Sequence, residues 1–338
     1  MKSDFLILLL LTLTATACDK EYIFKGQLPN PKLVLYSFIE PDSLIEVRVS
    51  RTRIAGQSNA AEVRNVEGEI HINNQFKGKL YHITGDRYGS HVYASPGDRI
   101  NLTVRADGVE EVKAETVVPD QRPFISIDMQ KLFQNKHRVN FRIKISEQNS
   151  DNKYYRLVIK RKTNKVIENY TLGKVLKYEN ENFKFDRSKE PLLVYKNDIL
   201  DNEDEENGSN IYNIFGNELF RGRSYTLKVS TLYLPSYEYD VEYTLENEKG
   251  HIRNLSTYSA ILYRIDEASW LYLRSEEEAY RNPPLLSEPV KVYSNVRKGV
   301  GVVGSFTKTE ISIQAPVEKR EAQEATYNPF YQLSDSPD

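Results

Sequence analysis

The sequence predicts a mostly β protein: an N-terminal immunoglobulin/transthyretin-like β-sandwich followed by a second β-rich domain with one short helix. Three observations carry this. Short apolar–polar alternations recur from 32 to 118, as in Ile45-Glu46-Val47-Arg48-Val49 and Ile100-Asn101-Leu102-Thr103-Val104, and alternation places one face on a core and the other in water. Turn formers punctuate them: Pro41-Asp42, Asn73-Asn74, Gly85-Asp86, Ser95-Pro96-Gly97-Asp98 and Asp107-Gly108. The aromatic set is tyrosine-rich, 23 Tyr against 13 Phe and 1 Trp, and tyrosine combines β propensity with a polar tip.

Taken in order, the first 17 residues read as a signal peptide. Lys2 precedes an apolar run at 5–13, too short to span a bilayer, and small residues lead to Cys18. Cys18 is the only cysteine, so the mature chain has no disulfide and no thiolate zinc site. The pattern resembles a bacterial lipoprotein signal with Cys18 as the lipidated residue, although Ala15 stands where Leu is usual. Residues 18–31 form the lipidated tether. Asp19-Lys20-Glu21 resembles a surface-export signal, and Pro29 and Pro31 disfavour regular structure.

The sandwich domain is expected at 32–120, with strands at 32–39, 44–54, 66–73, 76–84, 88–94, 99–106 and 111–118, closed by Pro119 and Pro123. The second domain is expected at 121–315. It opens with strands at 124–129, 138–146 and 154–162, loosens into sheet excursions and a long loop over 163–210, and resumes at 224–234, 239–245 and 260–265. A helix is expected from Glu267 to about Arg281, with Asp266 as its N-cap, Ala268, Leu271 and Ala279 near one face, and residues 276–278 in water. The stretch 285–306 reads as strand, glycine bend, strand, followed by a short strand at 310–313. Residues 316–338 are polar and aperiodic, a disordered tail.

The chemistry is sparse. A net charge of -2 excludes the basic excess of a nucleic-acid binder. The acidic run 201–208 offers oxygen ligands for calcium but lacks EF-hand spacing, and a solvated charge run explains it better. His71, His82, His91, His137 and His251 include no i, i+4 pair, although three of them lie on separate predicted strands that could converge. Gly299, Gly301 and Gly304 match G-x-G-x-x-G only formally. The following Ser-Phe-Thr-Lys-Thr-Glu-Ile-Ser-Ile is strand-like, so close strand approach or a bend is the better account. No Gly-x-Ser-x-Gly elbow or recognisable triad stands out. No catalytic residue, cofactor or metal is assigned.

Three segments, Ala114-Glu-Thr-Val-Val-Pro119, Phe215-Gly-Asn-Glu-Leu-Phe-Arg-Gly222, and Glu288-Pro-Val-Lys-Val-Tyr-Ser-Asn295 with Gly299-Val-Gly-Val-Val-Gly304, together with the lipoprotein start, resemble a Bacteroidota outer-membrane lipoprotein family, domain of unknown function 4249. This chain departs from the pattern at Val302-Val303, where a Phe before the third glycine is common, and at Arg297-Lys298. The resemblance implies a non-catalytic accessory of TonB-dependent nutrient uptake at the outer membrane. Its partner would be a TonB-dependent receptor, and its ligand a glycan or peptide. A structural or adhesive surface protein is the alternative, and a hydrolase within 163–260 a minor one.

Overall fold

The alternating segments at 32–118 become eight strands: β1 Leu33–Ile39, β2 Leu44–Arg51, β3 Glu67–Ile72, β4 Gln75–Lys79, β5 Tyr81–Thr84, β6 Arg87–Tyr93, β7 Arg99–Arg105 and β8 Val112–Val117. The computed structural model describes residues 30–53, 63–131, 138–146, 150–183, 185–194, 210–245, 247–281 and 290–326. One layer runs β1-β2-β6-β5 and the other β4-β3-β7-β8. Leu35, Val47, Ile70 and Leu102 meet between them in a dry core. The expected single strand at 76–84 is two strands. The Leu80 amide donates to the Gly68 carbonyl at 2.9 Å, and a Cβ on Gly68 would strike the Leu80 side chain. The chain therefore turns there, sending β4 and β5 into opposite layers.

A second pair of layers follows. β9 Phe124–Lys131, β10 Arg138–Ser146 and β14 Tyr225–Leu232 form a three-stranded sheet. It faces β11 Tyr154–Asn169 and β16 Glu248–Ile265, with Phe141, Ile143, Leu157, Leu227, Tyr258 and Leu262 buried between. The loosening expected from 163 is absent at first: β11 continues to Asn169 and turns back as β12 Gly173–Phe183. Asn169 Oδ1 closes the turn by accepting from the Thr171 and Leu172 amides at 2.7 and 2.8 Å. Periodicity missed this hairpin because residues 162–166 bury no complete face. Ladder bonds to β16 and β12 hold them instead. The acidic run 201–208 lies outside the described residues.

The short strand β13 Ile214–Gly216 caps β11, and β15 Ser236–Tyr243 extends the sheet beside β16. The tail expected to be disordered over 316–338 holds two strands among its described residues. β18 Val317–Lys319 and β19 Gln323–Ala325 add in parallel to β15, and the Arg320 guanidinium sits 3.8 Å above the Tyr237 ring. Ladder bonds and one cation–π contact do not depend on apolar periodicity, so composition gave no sign of them. Residues 327–338 lie outside the described set.

The stretch at 290–314 unites the two sandwiches. Residues 290–296 are not a strand. Asn295 stands in for a ladder: its Nδ2 donates to the carbonyls of Glu115 and Val303, both at 2.8 Å, and its Oδ1 accepts from the Val303 amide at 3.0 Å. β17 Val300–Gln314 then pairs in parallel with β1 through Ser305 and antiparallel with β16 from Phe306 onward. A single strand thus serves both layers, and Val296 and Val303 belong to the first core. Glycine is required where β17 lies against its neighbours. Gly301 has φ +104°, and a Cβ there would strike the Leu35 carbonyl, while one on Gly304 would strike Ser269 Oγ.

Helix α1 Glu267–Arg281 crosses the opposite face of this sheet on Trp270 and Leu273, packed with Ile214 and Ile265. Asp266 caps it, accepting from the Ser269 amide at 3.0 Å. The expected solvent face at 276–278 differs in the structure. Glu277 is buried and accepts from the amides of Asn210 and Ile211, and Glu276 accepts from Tyr212 and Tyr272 hydroxyls at 2.7 and 3.1 Å. The loop at 210–214 carries orphan amides that a carboxylate satisfies, a demand invisible from the helix's own sequence.

Gly301→Ala is expected to cost about 2–4 kcal/mol in equilibrium denaturation, since it combines a disfavoured φ with a backbone clash. Gly85→Ala, in an open turn at φ +55°, is expected to cost about 1 kcal/mol. Equal losses at the two positions would contradict the close-approach account.

Candidate functional site

Where β17 passes from one sandwich to the other, three elements converge on one carboxylate. Thr116 at the end of β8 donates from Oγ1 to Asp266 Oδ2 at 2.7 Å. The Ser305 amide donates to Asp266 Oδ1 at 3.2 Å, and the Asp266 amide returns a bond to the Ser305 carbonyl at 3.0 Å. Ser305 Oγ lies 2.8 Å from Thr116 Oγ1 and donates to the Val117 carbonyl at 3.0 Å. Ser269 adds its hydroxyl to the same carboxylate oxygen that its amide holds. Burial pushes the Asp266 carboxyl above its ordinary range, against the opposing pull of these donors. Asp266 was legible as a helix cap; its partners on β8 and β17 were not, being 150 and 39 residues away.

Above this junction lies a cleft of about 690 Å³, walled by the end of β8, the 152–154 turn, the start of α1 and the 293–295 segment. Its size falls within the range of roughly 300–1,000 Å³ usual for ligand sites. Tyr154 stacks on Trp270, with ring centroids 5.0 Å apart and planes at 16°. Tyr293 is fixed to the helix, its amide donating to Ser275 Oγ at 2.8 Å. Tyr154, Tyr293 and Glu267 all line the cleft, and burial, then the Glu267 carboxylate, raise both tyrosine hydroxyls above their ordinary pKa. Arg264 and Asp120 pair at 2.7 Å on one wall, and Arg99 pairs with Glu115 on another. Lys153 is buried, its backbone held by Asn217 through an amide-to-Oδ1 bond of 2.9 Å.

Lys153 and Arg264 also border a second hollow of about 240 Å³, with Phe124 at its edge. Sequence reasoning assigned none of these residues, because aromatic and acidic groups from 115, 154, 267 and 293 share no local motif. Glu115 and Tyr293 lie in segments it singled out for the family resemblance, and Glu267 in its expected helix, without a binding role for any of them. The arrangement offers aromatic faces, an exposed carboxylate and fixed amides, the chemistry of recognition.

The other residues considered from sequence lie elsewhere. Cys18, the expected lipidation site, and His137 fall outside the described residues. His71 meets Phe76 edge to face, His91 stacks on Tyr81, and His82 Nε2 lies 3.0 Å from the Gly85 carbonyl. His251 Nδ1 lies 3.0 Å from Asp240. Among the described residues, no group of three His, Cys, Asp or Glu side chains is placed to hold a metal. The glycines 299, 301 and 304 form no phosphate cradle; backbone and helix occupy the space beside them.

Thr116→Val and Asp266→Asn are each expected to destabilise the fold by about 1–3 kcal/mol, with a coupling of at least about 1 kcal/mol in a double-mutant cycle. Additive losses would show that the two residues act separately.

No curated protein matches the chain. The family model described as a domain of unknown function, DUF4249, matches residues 19–312. On that match, which covers both sandwiches, helix α1 and most of β17, the chain belongs to the DUF4249 family.

Proposed function

We propose that this protein is a lipid-anchored, non-catalytic accessory of TonB-dependent nutrient uptake at the outer-membrane surface, and that the junction cleft binds its transporter or the transporter's substrate. The observation that carries the binding role is the cleft itself. It joins aromatic walls at Tyr154 and Tyr293 to charged groups of both signs, with Glu267 exposed among them, an arrangement suited to holding a ligand. The anchoring role rests on Lys2, the apolar run at 5–13 and Cys18. The link to TonB-dependent receptors rests on the family resemblance.

A structural or adhesive role draws on a different observation. β17 runs unbroken through both sandwiches, which suits a stiff spacer. Growth of a deletion strain across nutrients separates the two, because only the uptake role predicts a substrate-specific defect.

Palmitate labelling is expected in the wild type and lost in Cys18→Ala, with release of the variant from the membrane fraction. Labelling that persists would refute anchoring at Cys18. A photo-crosslinker at Tyr293, in the full-length lipoprotein in native membranes, is expected to capture a TonB-dependent receptor or its substrate. Crosslinks to neither would count against the uptake role.

A further inference from the structure

We infer that the cleft recognises a cationic peptide segment, seating a lysine or arginine side chain between Tyr154 and Tyr293 against the carboxylate of Glu267. This rests on the binding role proposed for the cleft and names its ligand class.

The charges of the cleft decide between ligand classes. Four carboxylates line it, those of Glu115, Asp120, Asp266 and Glu267, against the bases Lys153 and Arg264. Glu115 and Asp120 are matched by Arg99 and Arg264. The Asp266 oxygens are taken up by Thr116, Ser269 and Ser305. Glu267 is exposed and forms no ion pair among the described residues. It also stands in the first turn of α1, where the helix amides favour an acid, so its presence alone needs no ligand. Tyr154 and Tyr293, which line the same cleft as Glu267, are the independent feature.

A neutral sugar could stack on these rings, but it would cover Glu267 without a counter-charge, and desolvating an unpaired carboxylate is costly. An anion would meet repulsion from the same group. A guanidinium or ammonium satisfies both features, pairing with the carboxylate and lying on aromatic faces as a cation–π contact.

The dimensions favour a peptide over a free amine. A volume of about 690 Å³ far exceeds one side chain, and the neighbouring hollow of about 240 Å³ continues past Lys153 and Arg264 to Phe124 and Ser146. Phe124, well exposed there, offers a ring for an apolar side chain of the same segment.

The chain contains one tryptophan, and Trp270 stacks on the cleft residue Tyr154, so its fluorescence reports occupancy. Full-length lipoprotein in detergent would be titrated with tetra-arginine, agmatine, tetra-glutamate and maltohexaose. Tetra-arginine is expected to give a saturable change at least tenfold tighter than agmatine, with no response to the other two. Glu267→Gln and Tyr293→Ala should each weaken it at least tenfold, while Tyr293→Phe retains it. Thermal midpoints would confirm that the variants fold.

Agmatine binding as tightly as tetra-arginine would overturn the peptide assignment in favour of a small free cation. Maltohexaose binding that is lost in Tyr293→Ala yet unchanged in Glu267→Gln would overturn the cationic class and leave the cleft's binding role standing. No response to any probe, with no crosslink from Tyr293 in native membranes, would bring down both.

Discussion

One strand holds this molecule together. β17 pairs with β1 through Ser305 and with β16 from Phe306, so the edge strand of the first sandwich runs on as an edge strand of the second. The close approach needs glycine at 301 and 304, because backbone and helix stand where a side chain would go. The handover point is fixed by Asp266, whose carboxylate gathers donors from β8, β17 and α1. Its burial is tolerable because each oxygen is satisfied; removing a donor would leave a buried acceptor short.

The cleft follows from this junction. The two sandwiches joined along one strand leave a crevice beside the joint, and α1 begins at its rim, where Asp266 serves both as cap and as tie. The helix start brings Glu267 and, through Ser275, Tyr293 to the same place. The cleft therefore sits beside the joint that ties the two sandwiches.

Sequence reasoning succeeded where one buried face imposes a period. Ile45, Val47 and Val49 announce β2, and Asp266 before a run free of Gly and Pro announces α1. It failed where polar satisfaction or backbone pairing decides. The β11–β12 hairpin and the tail strands are held by ladders, the Leu80 break by one amide, and Glu277 is drawn inward by the amides of Asn210 and Ile211. The site was the least legible part, because its residues converge from segments more than a hundred positions apart and no short motif links them. The glycine stretch was singled out as unusual and read as a close strand approach or bend, and the structure shows the close approach at Gly301 and Gly304.

If β17 makes the two sandwiches one cooperative body, equilibrium unfolding should show it directly. Denaturant unfolding of the full-length protein, followed by Trp270 fluorescence at the helix and by native-state hydrogen exchange of β3 and β7 amides in the first sandwich, tests this. The account predicts one coincident transition, with β3, β7 and the helix region exchanging at the same global free energy. Separate midpoints, with the first sandwich intact after the helix has melted, would contradict it.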